Sequence, residues 1–319
     1  MSTDFLPLNG TDHIEFWVGN AKQASYYYQH AFGFQLIAYA GPETGVRDRA
    51  SYVLQQGKIR LVFTTPIRSG NEMSDHINKH GDGVRVLALM VDDAEKSYYE
   101  TMSRGAQSHT IPQTHSDEFG EVKTASIHTY GDTIHTFVER TKYSGPFLPG
   151  YKAAAASFKS QPVGLEYVDH CVGNVELGSM DKWVKFYEDV LGFKMIITFD
   201  DSDISTEYSA LMSKVVSNGN GFVKFPINEP AQGKKKSQID EYLEFYNGPG
   251  VQHIAVITQD VIKTVSDLRS RGVEFLSVPT TYYDDLQARV GKIDENIEDR
   301  KSTRLNSSHS SVSRMPSSA

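Results

Sequence analysis

Residues 168–175, VDHCVGNV, and residues 11–20, TDHIEFWVGN, are two versions of one pattern. Each holds an Asp-His pair, Asp169-His170 in one and Asp12-His13 in the other, that opens an apolar run. Each is followed by a stretch with apolar residues at helical spacing, MDKWVKFYEDVLGF and QASYYYQHAFGF. Both stretches stop at Gly-Phe, at Gly192-Phe193 and Gly33-Phe34, where glycine is a normal helix terminator. The histidines are 157 residues apart and the Gly-Phe pairs 159. Three further matches share an offset of 167: Gly83-Val84-Arg85-Val86 with Gly250-Val251-Gln252-His253, Arg104-Gly105 with Arg271-Gly272, and Ile111-Pro112 with Val278-Pro279. The chain therefore reads as two related halves, the second with a net insertion of about ten residues.

Within each half the order is strand, helix, then several strands, twice over. LVFTTP and VKFPIN read as strands closing the first unit, VRVLALMVDD and VQHIAVITQD as strands opening the second, and SYYETMSRGA and VIKTVSDLRSRG as the helices that follow. The expected fold is α+β, with duplicated βαβββ units. The Pro-, Gly- and Ala-rich run GPFLPGYKAAAASFKSQP, residues 145–162, reads as the linker. It divides a first domain, 1–150, from a second, 151–300. The halves differ at their ends. After Ile111-Pro112 come two strand-like runs, EVKTASIHTY and DTIHTFVER; after Val278-Pro279 comes TTYYDDLQARVGKIDENIEDR, which lacks strand alternation. Residues 301–319, KSTRLNSSHSSVSRMPSSA, hold eight serines in 19 residues and no apolar period, so a non-native, disordered tail and an incomplete second half are expected.

The 319 residues, 39% hydrophobic and 23% charged, fit a globular chain of about two domains. A net charge of −8 argues against nucleic acid as the main partner, because phosphate binding needs a basic face. One cysteine, Cys171, excludes an internal disulfide and is consistent with a reducing compartment. No signal peptide and no apolar run of membrane-spanning length is evident, so a cytoplasmic location is expected. Self-association is left open by composition.

His170 and His253 open equivalent strands of the two units in the second half, so two imidazoles can converge on one cavity. A lone strand histidine is ordinarily a half-buried, hydrogen-bonded residue, and that reading stands beside metal binding. The repeat raises the second: the first half has His13 but Val86 where the second half has His253, as for a degenerate copy beside an intact one. Imidazole pairs suit iron, zinc, copper or nickel, and two His with one carboxylate is the common non-haem iron(II) set. Cys171 neighbours His170, but successive strand residues face opposite ways, so it is expected to pack away from the metal. The stripe Trp183, Phe186, Tyr187 has core spacing. Gly41-Pro42-Glu43-Thr44-Gly45 is a loop without the Lys-Ser/Thr and helix of a phosphate cradle.

The runs VDHCVGNV, FPINEPAQGKKKSQIDEYLEFYNGPGVQHIAV and VPTTYYDDL resemble the catalytic half of the 4-hydroxyphenylpyruvate dioxygenases; TDHIEFWVGNA and YAGPETG resemble their non-catalytic half. The resemblance spans about residues 8–300. It implies two curved, mixed-sheet half-barrel domains of the vicinal oxygen chelate type and an Fe(II) cofactor. It implies conversion of 4-hydroxyphenylpyruvate and O2 to homogentisate and CO2 in tyrosine catabolism. His170 and His253 match the metal-binding histidines; Ser213, Asn228, Gln238 and Gln252 match substrate-binding positions. Amides and hydroxyls can orient a keto acid and a phenol without neutralising the metal. Asn228 can equally be read as a turn residue, Ser213 as a loop hydroxyl and Gln238 as a helix-surface residue. The family's third ligand, a glutamate, matches no residue of this chain, so loss of turnover is expected. Hydroxymandelate synthase, alike in fold and ligands, and a non-catalytic binding fragment are the competing readings.

Overall fold

A computed structural model describes residues 4–199, 211–230 and 236–275. The first unit runs β1 (Thr11–Trp17), α1 (Ala21–His30), β2 (Gln35–Ala40), β3 (Arg49–Gln56) and β4 (Ile59–Pro66). A helix, α2 (Glu72–His80), leads to the second unit: β5 (Gly83–Met90), α3 (Ala94–Ser103), β6 (Ser108–Asp117), β7 (Gly120–His128) and β8 (Ile134–Glu139). After the two-residue β9 (Lys152–Ala153), the pattern restarts as β10 (Leu165–Asn174), α4 (Met180–Leu191), β11 (Lys194–Phe199), β12 (Leu211–Ser217) and β13 (Lys224–Pro230). Then come α5 (Gln238–Tyr246), β14 (Gly250–Thr258) and α6 (Val261–Ser270). The readings made for residues 276–319, including the incomplete second half and the tail, lie outside the described residues.

Two mixed sheets result, ordered β6-β7-β8-β5-β1-β4-β3-β2-β9 and β11-β12-β13-β10-β14. In both, the opening strand of the half pairs parallel with the last strand of its own unit (β1 with β4, β10 with β13) and antiparallel with the opening strand of the next (β1 with β5, β10 with β14). The repeat holds to the residue. His13 faces Ala88 and Glu15 faces Val86 in one sheet; His170 faces Ala255 and Val172 faces His253 in the other. These pairs reproduce the sequence offsets of 157 and 167.

Helix entry repeats too. Asp93 accepts the Lys96 amide at the start of α3 and Asp260 accepts the Lys263 amide at the start of α6, caps worth about 1 kcal/mol each. The apolar faces of α1, α3, α4 and α6 contribute to one core cluster that runs through both halves, including Phe34, Phe63, Leu87, Phe137, Tyr187 and Phe225. Trp183 and Phe186 pack against it, as their spacing indicated. Tyr187 lies within 2.8 Å of the buried His135 Nε2 across the junction of the halves, and burial pushes that imidazole down to about 4. Among the described residues, no helix is long and apolar enough to cross a membrane.

Candidate metal and substrate site

Two β-bulges decide the site. A bulge inserts one extra residue opposite a single partner and turns consecutive side chains toward the same side. The pairing of β10 with β14 skips Asp169, so its carboxylate sits beside His170. The same ladder skips Gln252, between Val172↔His253 and Gly173↔Val251. In the first half the equivalent ladder skips Asp12, beside His13, and Arg85, before Val86.

Each bulge residue holds its histidine. His170 Nδ1 lies 2.7 Å from Asp169 Oδ2, and His253 Nδ1 lies 2.8 Å from Gln252 Oε1. A carboxylate or amide oxygen only accepts, so Nδ1 of each ring donates, and in a neutral ring Nε2 is then the atom that can donate to a metal. This is the outer hydrogen bond that typically orients metal-binding imidazoles. Asp169 is anchored in turn by Lys224 Nζ at 2.7 Å. Burial opposes its ionisation, but the hydrogen bonds from His170 and Lys224 prevail and hold its carboxyl below the ordinary range. The two rings lie on adjacent strands, centroids 5.8 Å apart and nearly perpendicular.

Paired residues share a sheet face, so the rest of the site can be read from register. Cys171, Val251 and Ile227 face the core with the helices, and burial pushes the Cys171 thiol up to about 12. His170, Val172, Asn174 and His253 take the other face. Asn174 pairs with Asn228, and Asn228 with Ser213, which makes a polar row across β10, β13 and β12. All three are buried. Asn228 Nδ2 donates to Asn174 Oδ1 at 3.4 Å, whereas Asn174 Nδ2 is buried without a protein acceptor. Gln252 is half-buried beside His253. Gln238 is the exposed first residue of α5, a helix that packs on β10, β13 and β14. Four of the residues singled out from sequence, His170, His253, Asn228 and Ser213, thus share one face of one sheet with the bulged Gln252 at its edge. Asn174 was missed; a buried Asn after an apolar run carries no spacing signal.

The two histidines fit a metal, since each ring is held through Nδ1 and the two rings meet on adjacent strands of one sheet. Among the described residues no carboxylate joins them as a third close ligand. The one close group of three metal-type side chains among the described residues is elsewhere: His76, His80 and Asp132 in the first half.

The corresponding face of the first half is closed. Residues 143–151 cross it, with Phe147 packed on Ala38, Val53 and Val62, and Tyr143 and Leu148 on Val86, Ala88 and Ile134. His13 meets the Phe147 ring edge-on at 5.0 Å. Arg140, which holds Asp12 through both carboxylate oxygens, also donates to the Phe147 carbonyl. Part of the segment read as a linker is therefore a plug.

Residues 3–147 match the family described as hydroxyphenylpyruvate dioxygenase, N-terminal, and residues 167–304 match the glyoxalase/bleomycin resistance protein/dioxygenase superfamily. The 4-hydroxyphenylpyruvate dioxygenase of Neurospora crassa is 47% identical over 310 residues, covering 91% of this chain and 75% of that protein. That of Dictyostelium discoideum is 48% identical over 289 residues, covering 89% and 79%. A solved structure of a triple mutant of 4-hydroxymandelate synthase from Streptomyces coelicolor aligns at a TM-score of 0.83 and 27% identity, covering 94% of this chain and 84% of that one. Identity at this level over most of the length leaves one conclusion: the chain belongs to the 4-hydroxyphenylpyruvate dioxygenase family.

Proposed function

We propose that this chain is a 4-hydroxyphenylpyruvate dioxygenase whose second half binds iron(II) through Nε2 of His170 and His253. The observation that supports it most is the pair of bulges that give each histidine its own Nδ1 acceptor, Asp169 and Gln252. A neutral imidazole held through Nδ1 has Nε2 as its donor atom, and imidazole donors suit iron(II). Held by His170 and His253, iron(II) would supply a Lewis acid for the 2-oxo acid of 4-hydroxyphenylpyruvate and a redox centre for O2, whose two oxygen atoms both enter homogentisate as CO2 is lost. The keto acid supplies the electrons, so no separate 2-oxoglutarate is needed.

The chain's own residues bind and orient. Lys224 and Asp169 fix the His170 ring. The Ser213 hydroxyl and the Asn228 amide, buried on the same face, offer polar contacts to the substrate. Asn174 accepts from Asn228 Nδ2, which leaves the Asn228 side-chain oxygen as the acceptor for a donor such as a phenol hydroxyl. Gln252 links metal and substrate positions, and Gln238 is assigned to the substrate from α5. A cytoplasmic location fits the single, buried, reduced Cys171. A third, carboxylate ligand completes such a site, and none of the described residues supplies it, so metal and substrate binding, rather than turnover, follow from these residues. The test is anaerobic binding of 4-hydroxyphenylpyruvate with iron(II), followed by admission of O2 and product analysis. Substrate binding without iron dependence contradicts the proposal; 4-hydroxymandelate as the product moves it to the synthase.

A further inference from the structure

We propose that the first half carries a second divalent-cation site, of zinc(II) type, formed by His76, His80 and Asp132 at the junction with the second half. His76 and His80 lie one helical turn apart near the end of α2, with ring centroids 4.6 Å apart. Asp132 lies in the turn between β7 and β8. Each residue offers a ligand atom within 4.8 Å of the other two. The turn is fixed in place: Gly131 has φ +57°, and a Cβ there would meet the Pro249 carbonyl oxygen at 2.3 Å.

The hydrogen-bond pattern around His80 carries the inference. Its Nδ1 faces the Tyr246 carbonyl oxygen of α5, which can only accept, so Nδ1 carries hydrogen. In a neutral ring, Nε2 is then a lone pair, and it lies 2.7 Å from Asp132 Oδ2. Two acceptors at that separation need a positive centre between them, either a proton on His80 or a metal ion. His76 favours the metal. It is only 5% exposed, and its Nε2 is buried with no hydrogen-bond partner among the described residues. Such an orphan is destabilising unless something binds it. A histidine N–H donated to a backbone carbonyl, as from His80 to Tyr246, is also the usual support for a ligating imidazole.

Two cations oppose the site. Lys79 Nζ lies 3.0 Å from Asp132 Oδ2, and Arg85 donates to the Asp132 carbonyl oxygen. Lys79 is half exposed and can swing into solvent, and Arg85 is also neutralised by Glu72. Ligands around 2.0–2.2 Å from a tetrahedral ion cannot lie 4.8 Å apart, so the side chains must close on it by rotamer adjustment. Two imidazoles and one carboxylate select zinc(II) or cobalt(II) over calcium or magnesium. The effect is to tie α2 to the β7–β8 turn beside α5, where His80 stacks on Tyr246 at 4.3 Å.

The test uses the full chain carrying His170→Ala and His253→Ala, stripped of metal, so that failure of the iron proposal leaves the outcome unaffected. Zinc(II) titrated by calorimetry should bind with about one equivalent per chain and raise the melting temperature. Cobalt(II) should quench Trp17, whose ring meets His76 at 5.1 Å. Adding His76→Gln should lower zinc affinity at least tenfold and abolish the quenching. Asp132→Asn, in a half-exposed turn, should do likewise and decides the matter if His76→Gln does not fold. No zinc binding in the parent variant, or binding that Asp132→Asn leaves unchanged, overturns the site and makes His80 an imidazolium paired with Asp132.

Discussion

Replacing Phe147 by alanine tests why the first half lacks an open cavity. Phe147 is 2% exposed, so its whole ring is removed from water on folding. Burial of a phenylalanine side chain contributes about 1.5–3 kcal/mol. Its edge contacts with His13 at 5.0 Å and Tyr151 at 4.9 Å add about 0.5–1.5 kcal/mol each. Removing the ring leaves a hole among Ala38, Val53 and Val62, which places the loss at the usual Phe→Ala cost of about 3–5 kcal/mol. The chain has two tryptophans, Trp17 and Trp183, one in each half. In a Trp183→Phe background, Trp17 fluorescence therefore reports urea unfolding of the first half. With a urea slope of about 2–3 kcal/mol/M, Phe147→Ala should lower the midpoint by about 1–2 M. A loss below about 1 kcal/mol would refute the plug and return residues 143–151 to the status of a linker.

Three further outcomes are expected. Asp12 is fully buried between Arg140, Arg60 and His13, so Asp12→Asn should destabilise by about 3–5 kcal/mol at neutral pH, read by urea unfolding. Burial opposes ionisation of Asp12, but its hydrogen bonds to His13 and Arg140 hold its folded pKa below the unfolded value of about 3.9; its contribution is present above that pH and lost as pH falls through the folded pKa. Native stability should thus drop more steeply on acidification than that of Asp12→Asn, and parallel curves contradict the assignment. The Cys171 thiol, buried and pushed up to about 12, should resist iodoacetamide in the folded protein and react only after unfolding, as peptide mass spectrometry would show. Asn228→Ala should weaken anaerobic 4-hydroxyphenylpyruvate binding about tenfold, the equivalent of one hydrogen bond, without changing iron content; unchanged substrate affinity removes Asn228 from the site.

The duplication was legible because each unit must bury the same apolar faces, and the same register recurs where His13 meets Ala88 and His170 meets Ala255. The facing of His170 and His253 followed from strand period and repeat. What a strand period cannot show is a bulge, and so the roles of Asp169 and Gln252 in holding those rings emerged only with the pairing. Phe147 was hidden for another reason: it sits in a Pro- and Gly-rich run, and one buried aromatic there has no periodic partner. The stacking of His80 on Tyr246 joins helices α2 and α5, which are distant in sequence, and only tertiary packing brings Asp132, in the β7–β8 turn, to His76 and His80 on α2.

The central claim is that His170 and His253 together create the metal site. An anaerobic titration of iron(II) into metal-free protein with 4-hydroxyphenylpyruvate present tests it most directly, followed through the visible charge-transfer absorption of a 2-oxo acid chelated to iron(II). The band should develop with the native chain and be lost in both His170→Ala and His253→Ala, while His13→Ala retains it. A band of undiminished intensity in either His170→Ala or His253→Ala would mean that the two histidines do not form the metal site together.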